Sequence, residues 1–219
     1  MTDSINDKRP MASPWILGLY GLAGATFIVA AHSAGWYGGP QSVWLLAPFA
    51  AILGGIAQFL AGMWAYAAAD GVATAMLGAW GSFWVAYGVL NGLFATGRLA
   101  EPKGAFPELA LWFIVLAAIT WMGAVAATAR SAALTIVFGF LAAGSTISAI
   151  SEGLGNHGLS LLAAWLFIVA AIVAWYTATA LMLEETFRRR VLPVGDRLAG
   201  KPEPSTGALH HAPTLHRAG

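Results

Sequence analysis

Of 219 residues, 58% are hydrophobic and 10% charged, and the formal net charge is +1 at pH 7. A soluble domain carries about 25% charged residues, so this composition, with its strongly positive mean hydropathy, reads as an integral membrane protein. The near-neutral balance argues against a nucleic-acid partner, and a chain without cysteine has no disulfide, thiolate metal site or cysteine nucleophile.

The opening residues, MTDSINDKRPMASP, are polar, and the apolar run after them is followed by further spans, which argues against a cleaved signal peptide. Six apolar stretches follow, at 14–34, 43–68, 74–95, 108–128, 132–150 and 159–183, each near the roughly 20 residues that a helix needs to cross a bilayer. Their continuous apolarity lacks the alternation of barrel strands, so they are predicted to be helices. The expected organisation is a tail at 1–13, a six-helix transmembrane domain at 14–190, and a disordered tail at 191–219, rich in Pro, Gly and His.

The first span opens SPWILGLYG, with Pro14 followed by Gly18, Gly21 and Gly24. Taken alone, this is either a packed helix start or the remains of a transport signature. His32, at the other end of that span, is an ionisable group that titrates near neutral pH or a simple hydrogen-bonding residue. In the third span Trp80, Trp84, Tyr87 and Asn91 fall at i, i+4, i+7 and i+11, one stripe of a helix. A stripe of indole, phenol and amide groups either lines a solute path or packs with its polar tips satisfied. Trp15, Trp36, Trp44 and Trp112 lie near span ends, where an interfacial aromatic belt accounts for them.

Helices in lipid associate through small residues that allow close approach. Gly21 and Ala25, Ala57 and Ala61, and Ala170, Ala174 and Ala178 supply such faces, within one bundle or between subunits. The sixth helix is expected to run on through LEETFRRR, pairing Glu184 with Arg188 and Glu185 with Arg189. The three arginines also suit anionic lipid headgroups. With the N-terminus inside, Lys8, Arg9, Arg130, Arg188, Arg189, Arg190, Arg197, Lys201 and Arg217 fall on the inner side and only Arg98 and Lys103 on the outer, which predicts cytoplasmic termini.

The spans hold no Lys or Arg, and the acids Asp70 and Glu152 are read at joints, so carboxylate-driven ion coupling has little to work with. The remaining hydroxyl, amide and phenol groups suit a small solute that is neutral, or a weak acid met by backbone N–H groups. No paired carboxylates, metal-ligand cluster or nucleophile–base pair assembles within the spans, so neither an enzyme nor a cofactor is expected. His210, His211 and His216 of the tail are read as bystanders.

Residues 54–84 read GGIAQFLAGMWAYAAADGVATAMLGAWGSFW. Gly54, Gly55, Gln58, Ala61, Gly62, Trp80, Gly81, Phe83 and Trp84 match in order the Gly-Gly-x-x-Gln-x-x-Ala-Gly and aromatic-Gly-small-Phe-Trp motifs of the acetate uptake transporters, also called succinate-acetate permeases. Tyr176, Glu185, Arg189, Val191, Leu192, Pro193 and Gly195 resemble that family's closing segment, and His32 and Gly35 its end of the first helix. The family's Asn-Pro-Ala-Pro-Leu-Gly-Leu signature is matched at Pro14, Leu17, Gly18 and Leu19, with Ser13, Trp15 and Ile16 departing from it. Its Gly-Asn-Thr joint stands here as Ala69, Asp70 and Gly71.

The resemblance implies six helices per protomer, a ring-shaped homohexamer in the plasma membrane, and movement of acetate and related carboxylates, with succinate among them and protons as a further passenger. It implies a constriction at Leu22, a position near 139–141, and Trp80. The path is expected along Leu19, Leu22, Gln58, Trp80, Trp84, Tyr87 and Asn91, on a backbone shaped by Pro14, Gly18, Gly54, Gly55, Gly62 and Gly81. Two other readings stay open: a channel for a neutral solute such as urea or ammonia, and a membrane sensor without transport.

Overall fold

The computed structural model describes residues 12–195. Among them, six helices are long and apolar enough to cross a membrane: α1 (Pro14–Ser33), α2 (Ser42–Ala67), α3 (Gly71–Ala95), α4 (Pro107–Ala127), α5 (Ala132–Leu154) and α6 (His157–Phe187). Each packs on the next, and α6 returns to α1 and closes the bundle. The helices alternate in direction, so Pro14, Asp70, Arg130 and Phe187 gather at one end, the terminal end, and Ser33, Pro107 and Leu154 at the far end. The terminal half is packed solid, with Leu19, Leu22, Leu77, Leu116, Phe138 and Leu141 no more than 1% exposed.

Pro14 takes the first position of α1, where its missing N–H costs nothing. Pro48 sits inside α2, and the helix widens directly after it into a π-helical stretch, Ala50–Ala57. Proline removes a ladder donor and crowds the preceding turn. Within the widened stretch, a side chain at Gly54 would run into Ala25 of α1 and Trp84 of α3, and one at Gly55 into Val85 of α3. Three helices meet across these two glycines. Gly18 gives room to Leu77, Gly62 to the backbone of Gly78, and Gly81 to the backbone of Phe59, so the signature glycines all mark contacts among α1, α2 and α3.

At the terminal end, Asp70 caps α3 by accepting from the Ala73 N–H at 3.0 Å. Its other oxygen accepts from the Trp15 indole N–H at 2.8 Å and from Arg130 at 2.7 Å. Trp15 also packs its ring 6.1 Å from that of Phe138. The belt position expected for Trp15 is therefore corrected: it is 7% exposed and ties the start of α1 to two joints. Trp15 and Asp70, two departures from the family pattern, bond to one another.

Burial raises the Asp70 pKa, but the Ala73, Arg130 and Trp15 hydrogen bonds and the Arg130 charge outweigh it, holding the carboxyl below the ordinary carboxylate range. A lowered carboxyl stabilises the fold above its unfolded value, about 3.9, and that stabilisation is lost as pH falls through the folded value. Asp70→Ala is expected to cost about 2 kcal/mol near neutral pH, roughly 1 for the cap and roughly 1 for the indole left without an acceptor. Thermal unfolding in detergent should show the gap from wild type narrowing below about pH 4. A gap independent of pH would mean that the ionised carboxyl contributes nothing.

The start of α5 is capped from within and from afar. Ser131 accepts from the Leu134 N–H, while the Ala132 and Ala133 N–H groups donate to the carbonyls of Gly195 and Val194 at 3.0 and 3.1 Å. These are among the first N–H groups of the helix, which have no partner inside it. Val194 is buried against Ala133 and Ala180, and the Tyr176 hydroxyl donates to the Pro193 carbonyl. Residues 191–195, assigned above to a disordered tail, thus seat on the bundle.

The expected run of α6 through the arginines is also corrected. The helix ends at Phe187 because Arg188 turns to the left-handed region, φ 55°. Glu185 instead accepts from the Ser13 N–H at 2.8 Å, and Glu184 lies 4.0 Å from Arg190. Lys8, Arg9, Arg197, Lys201, Arg217, His210, His211 and His216 lie outside the described residues, as do the outer parts of both tails.

Candidate functional site

Between α1 and α3–α6 lies a cavity of about 190 Å³. Its walls are Thr26, Val29, Ala30 and Ser33 of α1, Trp80, Phe83, Trp84 and Tyr87 of α3, Leu109 and Phe113 of α4, Ser148, Ser151 and Glu152 of α5, and Ser160 and Phe167 of α6. Trp80 stands deepest along α3, above the solid terminal half. Its indole N–H donates to Thr120 of α4 at 3.1 Å, and its ring meets Phe83 and Phe167 edge-on, with centroids 5.6 and 6.2 Å away. Edge-to-face contact is the favoured aromatic geometry, so this floor is fixed from three helices.

A second, wider cavity of about 640 Å³ adjoins the first at the far end and shares Phe83, Tyr87, Leu109 and Glu152 with it. Glu101, Glu108, Asn91 and Trp112 line this mouth. Among the described residues, no Lys, Arg or His lines either cavity. Among the lining residues, the Thr26 hydroxyl and the Trp84 indole N–H are buried without a hydrogen-bond partner. Such groups cost about 1–3 kcal/mol each until an acceptor or water reaches them.

The expected path residues separate into three places. Trp80, Trp84 and Tyr87 line the inner cavity, and Asn91 lines the mouth while its amide donates to the Tyr87 carbonyl at 2.9 Å. Leu19 and Leu22 line neither cavity and pack in the solid half. Gln58 is fully buried beside Gly21 of α1, with neither amide atom partnered. His32 faces the α1–α2 joint, its Nδ1 3.1 Å from the Tyr37 carbonyl, and does not line either cavity.

The sequence reading missed Phe113, Phe167, Ser151, Ser160 and, above all, Glu152. A signal for Glu152 exists: Leu141, Ser145, Ser148 and Glu152 repeat the i, i+4, i+7, i+11 spacing of the α3 stripe. Because α5 runs to Leu154, Glu152 is in its last turn and on the cavity wall, not in a joint. Ser151 donates to the Asn156 carbonyl and lies 2.5 Å from the Ser160 hydroxyl, which ties α5 to α6 beside it.

The sequence pattern of the GPR1/FUN34/yaaH family matches residues 3–194. The chain belongs to the GPR1/FUN34/yaaH family. Among its relatives, the succinate-acetate/proton symporter SatP of Escherichia coli K12 is 27% identical over 191 residues, covering 85% of this chain and 96% of the relative. The SatP of Shigella flexneri matches with the same identity and coverage. A solved structure, that of the bacterial acetate channel SatP, superposes with a TM-score of 0.77 at 25% identity, over 85% of this chain and all of that one. The resemblance read from residues 54–84 and 176–195 therefore holds at family level, and the six-helix membrane architecture of this GPR1/FUN34/yaaH member is the SatP fold.

Proposed function

We propose that this protein moves acetate and related short-chain monocarboxylates across the plasma membrane through the cavity between α1 and α3–α6. The observation that carries the reading is that cavity: a chamber with an aromatic floor and hydroxyl-bearing walls, opening toward the far-end mouth, on a SatP fold. Its volume of about 190 Å³ holds roughly six waters at about 30 Å³ each, which suits a solute of a few heavy atoms. The unpartnered Thr26 hydroxyl and Trp84 N–H are donors of the kind a carboxylate oxygen accepts from. An unpaired anion in an apolar wall is costly, and among the described residues no cation lines the way, so the second charge of succinate makes it the poorer passenger. From the family resemblance we take residues 14–190 as the transport body, a ring-shaped homohexamer and cytoplasmic termini.

Uptake of radiolabelled acetate into proteoliposomes under an inward proton gradient, with the flux into protein-free vesicles subtracted, tests this. Protein-dependent uptake is expected, with acetate favoured over succinate; none at any gradient rejects the function. The missing cations also favour a second reading, a channel for a neutral solute. Vesicle swelling in urea that exceeds the acetate response would support that reading over ours.

A further inference from the structure

We propose that Glu152 is the proton-handling carboxyl of the path, the group that makes each monocarboxylate pass inward from the mouth together with one proton. The inference rests on the carboxylate reading above and goes beyond it by naming the residue and the step. Glu152 borders both cavities, so a solute moving from mouth to chamber passes it. Among the described residues its side chain makes no hydrogen bond and no ion pair, so its carboxyl is not consumed by structure.

Among the described residues, the groups around it offer no positive charge. Tyr87 faces the same space from α3, Glu108 from α4 and Glu101 from the α3–α4 joint, while α6 contributes Ser160 and α1 contributes Ser33. Arg98 and Lys103 of that joint, and His157 at the start of α6, line neither cavity. A carboxylate solute passing between the two cavities therefore meets the Glu152 carboxylate with no cation among the described residues to offset it.

Two carboxylates that share a site disfavour each other's ionised form, so the pair binds one proton more readily than either alone and titrates as a unit. The pair takes one proton from water in the mouth and holds it between two oxygens, carrying one negative charge instead of two. The solute leaves toward Trp80 as the neutral acid with that proton, and Glu152 is left ionised for the next. No bond other than O–H forms or breaks, and one proton moves inward per carboxylate.

The test is acetate uptake by the reconstituted full chain between about pH 5 and pH 8, with protein-free flux subtracted, for wild type, Glu152→Gln, Glu152→Ser and Glu152→Asp. Wild-type uptake is expected to fall by about tenfold per pH unit above the titration of the pair, and Glu152→Asp, which keeps the carboxyl, to keep that slope. The neutral variants are expected to flatten the profile, with uptake several-fold above wild type at the alkaline end. Neutral variants that retain the wild-type slope overturn the proposal, and so do neutral variants that lose uptake at every pH, since an uncharged side chain at this position should let an anion by more readily. Wild-type protein without acetate uptake would instead reject the transport function itself.

Discussion

Trp80→Ala is expected to lengthen the chamber toward the terminal end and to admit longer monocarboxylates, at a cost of about 3–5 kcal/mol in stability. The side chain is 1% exposed and braced by Phe83, Phe167 and Thr120, so its removal leaves a void that these neighbours cannot close. The void continues the existing cavity, because Trp80 stands between that cavity and the solid layer containing Leu22 and Leu77. Thr120 stays satisfied, since its own hydroxyl donates to the Leu116 carbonyl at 2.6 Å, and the loss is one of packing. One methylene in an apolar pocket is worth about 1–3 kcal/mol of discrimination, so the ratio of butyrate to acetate uptake should rise by about tenfold or more. An unchanged ratio in a variant that still transports acetate would remove Trp80 from the narrow point.

Gly81→Val is expected to separate α2 from α3 and prevent assembly of a monodisperse protein. A Cβ at Gly81 would stand 2.7 Å from the Phe59 nitrogen and 2.9 Å from its Cα, and helix backbone cannot step aside as a flexible side chain does. Overpacking costs about 1–3 kcal/mol where side chains can adjust, and a clash with backbone belongs at or above the top of that range. Gly92, on the same helix, has nothing within 4 Å, so Gly92→Ala is the control. It should fold as wild type does, with up to about 1 kcal/mol gained from helix propensity. Size-exclusion profiles and thermal unfolding in detergent compare the two. Equal behaviour of both variants would mean that the α2–α3 approach is looser than this geometry.

The six helices were legible because continuous apolar runs of membrane length have few alternative folds. The α3 stripe was legible because indole, phenol and amide groups stand out against an apolar background. What periodicity could not supply was the phase of a helix that is apolar all round: such a helix has no polar face to say which side turns inward. Trp15 shows the consequence. Its place near a span end suits a lipid belt and an inner tie equally, and only the Asp70 acceptor across the α2–α3 joint decides between them. Glu152 was missed by a boundary, since a span ended at Ile150 leaves it in a loop, whereas the helix continues until Gly155 turns to φ 62°. The arginine pairs failed for the complementary reason, because α6 stops one residue before the first of them.

The far-reaching cap on α5 also sets an order of manufacture. The Ala132 and Ala133 amides find their acceptors in Val194 and Gly195, which the ribosome adds only after the whole of α6. A growing chain that holds α1 to α5 therefore has a fifth helix with an unfinished end, completed when α6 has crossed and brought the chain back to the terminal end. A chain cut at Arg190 would keep every membrane crossing and still lack that closing clasp, whereas one cut after Gly195 would retain it.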